Sequence, residues 1–221
     1  MRTQREKAES FRLLHEREDA FVIPNPWDAG SARLLEGMGF EALATTSAGL
    51  AMSCGRLDGN VTLEHKLAHI RMVCDATNIP LSADMEHGFA DTAAAAARNL
   101  VLGAEAALVG ASVEDYSREG EIYPFAEAGA DVLYASALAS VDEVRALTSA
   151  LDKPVNVLIA GLSGVMLDAL GGAGAKRISV GAGLARYAAA RLADAAREMR
   201  DGRFTWFDNL LPGADMKRFF G

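Results

Sequence analysis

Several features that stabilise small extracellular or membrane proteins are scarce in this sequence. Its 221 residues include two cysteines, Cys54 and Cys74, and neither belongs to a CxxC pair. This scarcity argues against a disulfide framework and against a zinc ribbon. No stretch approaches the ~18 uninterrupted apolar residues of a membrane-spanning helix, so we expect no membrane partner. The charged segment 1–19 also lacks the apolar core of a signal peptide, which predicts a cytoplasmic protein.

Positive charge is also in deficit. The chain has 22 Lys and Arg residues against 30 Asp and Glu residues, a formal net charge of −8. An acidic protein gains little from contact with phosphate backbones, so nucleic acid is not an expected partner. Half of the residues are hydrophobic and 24% are charged, as in ordinary globular proteins. The length predicts one domain over residues 1–221.

Short apolar runs alternate with longer amphipathic segments along the chain, which predicts a parallel sheet with helical crossovers. A Gly-Ala-charged spacer precedes three of the predicted strands, and no GxGxxG follows the first. This repetition favours an α/β fold of the β/α (TIM-type) barrel class over a doubly wound sheet. The predicted strands are 21–24, 41–46, 80–84, 106–114, 131–135, 154–159 and 176–180. The predicted helices include 31–38, 63–77, 92–102, 140–150, 164–170 and 184–199, with a tail over 203–221.

The strand count is one unit short of the eight in a TIM barrel. Between Glu114 and Asp131 the chain has 16 residues, predicted as a polar loop over 115–123 and a single helical turn over 124–128. That length is too short for another strand with its loops and helices. The sequence therefore predicts a barrel of seven strands, or a distorted one.

Acidic residues follow the predicted strands at the edge where β/α barrels carry their active sites. Asp84 and Glu86 follow the third strand, Glu114 ends the fourth, and Asp58 lies in the loop after the second. Like charges at one edge repel one another, so their grouping indicates a bound cation. Oxygen ligands without Cys or His suit Mg²⁺, or else Mn²⁺, better than zinc. The alternative is a set of solvated loop carboxylates and helix caps.

Other residues at this edge give weaker signals. The small residues of segment 45–49 predict a turn whose free amides could face a substrate oxyanion, or a plain turn. Trp27 could cover a small ligand, although it is equally typical of a core. His87 is the one histidine that the strand ends predict here, and by itself it is more typical of a surface residue than of a base. Cys54 has no histidine paired with it in sequence, which argues against a nucleophile.

Seven stretches, in the family's order, resemble the isocitrate lyase / phosphoenolpyruvate mutase superfamily. They are NPWDAGSAR (25–33), ATTSAG (44–49), GRLDG (55–59), SADMEHGF (82–89), VED (113–115), AGAD (128–131) and RISVG (177–181). Each stretch alone is weak, but the ordered set is specific to the superfamily. The resemblance covers about residues 21 to 202.

The resemblance implies a Mg²⁺-dependent lyase that breaks a C–C or C–P bond of a small α-keto or hydroxy acid through a pyruvate enolate. It implies that Asp84 binds the metal directly, that Glu86, Glu114 and Asp58 hold its waters, and that 47–49 lines the oxyanion side. The predicted site residues are Ser47, Ala48, Gly49 and Asp58 for catalysis, Trp27, Thr46 and Arg118 for substrate binding, and Asp84, Glu86 and Glu114 for the metal.

Two departures from the family bear on these expectations. The loop YSREGEIY (116–123) lacks the cysteine and histidine of isocitrate and methylisocitrate lyases, which argues against those two activities. Family members also carry a fifth strand whose arginine clamps the substrate carboxylate, and this β/α unit is missing between Tyr123 and Phe125. Arg118 is the candidate replacement.

The missing unit keeps a second hypothesis open, a catalytically impaired family remnant that binds a metal or a small acid. A third, an aldolase barrel with a Schiff-base lysine, is disfavoured because Lys153 and Lys176 lie at the amino starts of their strands. An unpaired strand edge invites association, and the family exchanges its last helix, here 184–199, between subunits. We therefore expect a homodimer or a homotetramer.

Overall fold

The computed structural model describes residues 2–114 and 129–221. Within these ranges, helices and parallel strands alternate along the chain, as predicted. The helices are α1 (Gln4–Glu16), α2 (Ala29–Gly37), α3 (Ser47–Ser53), α4 (Leu63–Ala76), α5 (Ala93–Glu105), α6 (Val141–Ser149), α7 (Leu167–Gly172), α8 (Gly183–Arg200) and α9 (Gly213–Phe220). The strands are β1 (Phe21–Ile23), β2 (Leu43–Ala44), β3 (Leu81–Asp84), β4 (Gly110–Ser112), β5 (Leu133–Ala135), β6 (Val155–Leu158) and β7 (Arg177–Ser179).

The strands follow one another around the sheet in the cyclic order of a β/α barrel. One group runs β5-β6-β7-β1 and the other β2-β3-β4, and every pairing is parallel. The Ala44 N–H donates to the Pro24 carbonyl at 3.1 Å and joins β2 to β1. The predicted TIM-type barrel is confirmed. Among the described residues β4 and β5 are the outermost strands, where the sequence predicts a missing unit.

Side chains alternate between the barrel interior and the surrounding helices, as the period of a strand requires. Tyr134, Asn156 and Arg177 lie side by side in the strand register and face the interior. Their neighbours Val155, Val157 and Ile178 pack with apolar residues of α6 and α7. The interior of β5–β7 is therefore polar, and its outer face is an apolar core.

Helix α1 packs across the amino ends of the strands. It begins with a capping box in which Thr3 and Glu6 bond to each other's backbone N–H groups. Phe11 and Leu14 then pack with Phe21 and Ile23 of β1. This closes the amino end of the barrel and leaves the carboxyl ends of the strands for a site.

The structure differs from the sequence prediction mainly in strand length and in segment 45–49. Strand β2 has two residues, where the sequence predicts 41–46. The Thr46 hydroxyl accepts the Gly49 N–H at 3.3 Å, so the chain turns into helix α3 at Ser47. The predicted turn is therefore wrong: a helix stands in its place. The predicted helical turn at 124–128 lies outside the described residues.

The tail carries a short helix of its own. Helix α9 packs against α2, with the Phe219 ring against Gly37 and the Arg218 guanidinium donating to the Gly37 carbonyl at 3.4 Å. Across residues 2–114 and 129–221, none of the helices combines the length and apolarity that crossing a membrane requires.

Candidate active site

Asp84, at the carboxyl end of β3, has a fixed orientation. One carboxylate oxygen accepts the Ser47 N–H and the other accepts the Glu86 N–H, both at 3.0 Å. Its own N–H donates to the Thr45 hydroxyl at 3.1 Å. These bonds tie β3 to the start of α3, and they hold the Asp84 side chain at the edge of the barrel.

The loop after β3 is strained at Glu86. This residue is 6% exposed and has φ of 49°, in the left-handed region that favours glycine. Its carbonyl accepts the Glu114 N–H at 2.7 Å, and the neighbouring Met85 N–H donates to Ser112 at 2.9 Å. The strained conformation keeps Glu86 beside Asp84 and Glu114, as is common at functional sites.

A cavity of about 370 Å³ opens at this edge of the barrel. Three of the four predicted acidic residues contribute to its wall, and the fourth, Asp84, is bonded to a wall residue. The wall consists of Ser47, Asp58, Gly59, Asn60, Glu86, His87 and Glu114. We call Asp58, Asp84, Glu86 and Glu114 the carboxylate cluster.

The side chains of the carboxylate cluster do not converge on a single point. Within the two described ranges, no three His, Cys, Asp or Glu side chains converge closely enough to hold a metal ion between them. Mg²⁺ usually keeps several of its waters and takes only one or two protein carboxylates as direct ligands. By the chemistry of its donors, a cluster of carboxylate oxygens suits Mg²⁺ better than zinc.

His87 corrects the sequence expectation of a surface residue, because it is only 8% exposed. It lies in the wall of the 370 Å³ cavity and of a neighbouring cavity of about 460 Å³. Its ring packs against the Phe89 ring, with centroids 5.8 Å apart. The strained loop turns inward at Phe89, whose φ is 53°, and sequence periodicity does not register such a turn.

In the proposed oxyanion segment 47–49, backbone amides that the sequence predicts to be free donate hydrogen bonds within the protein. The Ser47 N–H donates to Asp84 and the Gly49 N–H to Thr46, so neither amide is free. Gly49 lies against Trp27, where an added Cβ would stand 2.9 Å from the Trp27 Cβ. Trp27 and Thr46 thus pack against the start of α3 and do not line the 370 Å³ cavity, while Arg118 lies outside the described residues.

Sequence reasoning missed Lys66 and His69, which share the inner face of α4. Lys66 has 0% exposure, and its Nζ has no hydrogen-bond partner within the described residues. Burial lowers the pKa of Lys66 below its usual value, and the negative charges of the carboxylate cluster oppose this shift only in part. The His69 Nε2–H donates to the Trp27 carbonyl at 2.9 Å. Burial, and next the Lys66 charge, lower the pKa of His69 to about 4.

A polar network lies on the opposite wall of the barrel interior. Arg177 Nε donates to Asn156 Oδ1 at 2.8 Å, and Asn156 Nδ2 donates to Ser179 Oγ at 3.0 Å. The Tyr134 and Ser179 hydroxyls are 3.2 Å apart. Burial lowers the pKa of Arg177 to about 10 and raises the pKa of Tyr134. The negative charges of Asp84 and Glu114 also raise the pKa of Tyr134.

Asn25, which follows β1, joins three strands at the rim. Its Oδ1 accepts the N–H groups of Val180 and Gly181, both at 2.9 Å. Its Nδ2 donates to the Thr45 carbonyl at 3.3 Å. One buried amide thereby holds the ends of β7, β1 and β2 together beside the site.

Comparison with known proteins supports the fold. The chain is 40% identical to a candidate lyase/mutase from Burkholderia cenocepacia J2315, with a TM-score of 0.92 over 98% of this chain and 97% of that one. It is 29% identical to an uncharacterized protein of Mycobacterium tuberculosis, over 87% of this chain and 90% of the relative. A phosphonopyruvate hydrolase crystallised with oxalate and Mg²⁺ shares the fold at 17% identity, with a TM-score of 0.84 over 96% of this chain and 94% of that one.

The family match also bears on the missing unit. The sequence profile of phosphoenolpyruvate phosphomutase matches residues 11–127 and 122–200, two segments that meet where the sequence predicts the loss. The alignment with the mycobacterial relative is 248 residues long, more than the 221 residues of this chain. The relative therefore has residues without a counterpart here. With its profile match spanning most of its length, the chain belongs to the phosphoenolpyruvate phosphomutase family.

Proposed function

We propose that this chain is a Mg²⁺-dependent lyase that cleaves a C–C or C–P bond of a small α-keto or hydroxy acid through a pyruvate enolate. The carboxylate cluster at the carboxyl ends of β3 and β4 carries the proposal. Four carboxylates repel one another, and they would also repel an anionic substrate. A divalent cation resolves both repulsions, and family membership supplies the reaction class.

Asp84 is the proposed direct ligand, because hydrogen bonds from Ser47 and Glu86 already fix its orientation. Glu86, Glu114 and Asp58 would hold water molecules around the ion, which agrees with the looseness of the cluster. When bound, Mg²⁺ would stabilise the negative charge that develops on the enolate. Mn²⁺ has similar ligand preferences and is the expected substitute.

The remaining assignments concern the walls of the site. Segment 47–49 stays the proposed oxyanion side, with the Ser47 hydroxyl as the contributing group because its amide is engaged by Asp84. Trp27 would cover the substrate, and Thr46 would hold α3 in place beside it. Arg118 is proposed to bind the substrate carboxylate. Isocitrate and methylisocitrate are not proposed as substrates, since loop 116–123 has neither cysteine nor histidine.

A thermal-shift titration with Mg²⁺, with and without oxalate as a mimic of the enolate, tests the function. A ligand at a hundredfold excess over its Kd stabilises the folded state by about 2.7 kcal/mol. We expect a shift that requires both Mg²⁺ and oxalate and that is lost in Asp84→Asn. Asp75→Asn, on the exposed face of α4 at its far end, is the matched control and should keep the shift. No shift at millimolar concentrations in the unmodified protein would refute the lyase and leave a scaffold whose function lies elsewhere.

We also propose that the chain forms a homodimer or homotetramer through residues 184–199. Helix α8 and the segment after it expose large apolar side chains, a pattern that marks interaction surfaces. They are Tyr187, Leu192, Met199, Phe204 and Phe207. Light scattering behind a sizing column should give a multiple of 23.4 kDa, and Leu192→Glu should lower it. A monomer at micromolar concentration would refute the proposal.

A further inference from the structure

The β3–α5 loop, residues 85–92, has an unusual backbone. Glu86, Gly88 and Phe89 have φ values of 49°, 77° and 53°, all in the left-handed region. Glycine adopts this region freely, whereas Glu86 and Phe89 are strained there, and such strain persists only where the surrounding structure fixes the chain. The contacts that hold this loop therefore decide which side chains it presents to the site.

Helix α5 supplies two such contacts through one side chain. The Asn99 Nδ2 donates to the Gly88 carbonyl at 2.9 Å and to the Phe89 carbonyl at 3.2 Å. A side-chain amide nitrogen carries two hydrogens, so Asn99 can make both bonds at once. Ala96 precedes Asn99 by three residues and shares its face of α5, and a Cβ added to Gly88 would stand 2.6 Å from the Ala96 Cβ. The loop backbone thus lies directly against α5 at the residues that Asn99 binds.

The loop is also tied to the chain that follows β4. The Glu86 carbonyl accepts the Glu114 N–H at 2.7 Å, which fixes the start of the loop. Asn99 fixes its middle, two to three residues later. Glu86 belongs to the first of these anchors and His87 lies between them, and both residues line the 370 Å³ cavity.

We propose that Asn99 is a positioning residue that holds the β3–α5 loop in its left-handed conformation and thereby keeps Glu86 and His87 in the wall of the candidate active site. Among the described residues, Asn99 is not one of those that line either cavity, so it acts through the loop rather than on a ligand. Its hold on the loop is independent of the proposed function. Its effect on metal binding rests on that function, because Glu86 is proposed to hold waters of the ion.

Hydrogen exchange measured by mass spectrometry in EDTA tests the hold on the loop without any metal. Asn99→Leu keeps the approximate volume and removes both donors, and leucine favours a helix more than asparagine does. Peptides that cover residues 85–92 should exchange about fivefold or more faster than in the unmodified protein, because two hydrogen bonds to the loop are lost. Peptides that cover β6 should keep their rate. Unchanged exchange over 85–92, or an equal increase in β6, would overturn the proposal.

Arg98→Leu is the matched control, because Arg98 is the exposed neighbour of Asn99 in the same helix. It should leave the exchange over 85–92 within about twofold of the original rate. Asn99→Ala is a second variant that removes the donors without adding a bulky side chain, and it should also accelerate exchange in the loop. If neither Asn99 variant folds, Asn99 has a general packing role and the proposal is overturned.

Calorimetric titration with Mg²⁺ tests the consequence for the candidate site. When a loop spends less time in its binding conformation, the apparent affinity falls in proportion to the fraction that remains competent. We expect Asn99→Leu to weaken Mg²⁺ binding about threefold or more, whereas Arg98→Leu should not weaken it. Mg²⁺ binding of the original strength in Asn99→Leu would overturn the positioning role. If the unmodified protein binds no Mg²⁺, the proposed function fails, and the exchange experiment still decides whether Asn99 holds the loop.

Discussion

The buried amide of Asn25 gives a sharp test of how the rim beside the site is held. Asn25 is 5% exposed, accepts two backbone N–H groups and donates to one carbonyl. Asn25→Leu keeps the approximate volume but leaves these three backbone groups without their partner. An unsatisfied buried group costs about 1–3 kcal/mol, and the added apolar burial offsets part of the sum.

We expect Asn25→Leu to lower the free energy of unfolding by about 3 kcal/mol, which corresponds to about 6–12 °C in Tm for a chain of this size. Urea unfolding at pH 7 measures the change. Asn25→Asp keeps an acceptor for the Val180 and Gly181 amides and should retain more of the stability. Asn209→Leu, on the exposed tail, should change the stability by less than about 0.5 kcal/mol. A loss below about 1 kcal/mol in Asn25→Leu would refute the role of this amide.

Three further outcomes follow from particular residues. Gly49→Ala should destabilise the protein by about 2 kcal/mol in urea unfolding, because the new Cβ would meet Trp27; a neutral effect would contradict this packing. The pKa of about 4 for His69 lies below its unfolded value, so the unfolded chain binds more protons between pH 6.5 and pH 4. About 3 kcal/mol of stability should therefore be lost as the pH falls through that window. His69→Gln should abolish this loss, and an equal loss in that variant would contradict the lowered pKa of His69. Cys54 is exposed, whereas burial raises the pKa of Cys74 to about 11, so a thiol reagent at pH 8 should label one cysteine rapidly; equal rates would contradict the burial.

The order of elements could be predicted from the sequence, because hydrophobic periodicity and the Gly-Ala spacers report on local structure. Strand ends could not, since pairing with neighbours decides them: β4 begins at Gly110 rather than at the predicted residue 106. The small residues of segment 45–49 predict a turn. The Thr46 side chain instead caps a helix, a preference that composition alone does not reveal.

The acidic residues of the candidate site could be predicted from their positions after the strands, and their proposed roles stay predictions. Lys66 could not be found by the same rule, because it lies within helix α4 rather than directly after a strand. The sequence does contain one indication that Lys66 is buried: it interrupts the apolar positions Leu63, Ile70 and Val73 on one face of α4. A lysine at such a position is solvated in most helices, and only the tertiary packing shows that it is enclosed.

The pairing of β1 with β7 has a consequence for the order in which the chain folds. Phe21 pairs with Arg177, and Asn25 receives the Gly181 N–H from a residue 156 positions later. During synthesis β1 leaves the ribosome long before its partner β7 exists, and contacts of such separation form slowly. Strands β2 and β3 share an apolar core with α2 and α4 whose buried residues all lie between Ala32 and Leu108. The part of the chain that contains β2, β3 and Asp84 can therefore fold while synthesis continues. Strand β1 pairs with β7 only after β7 has been made.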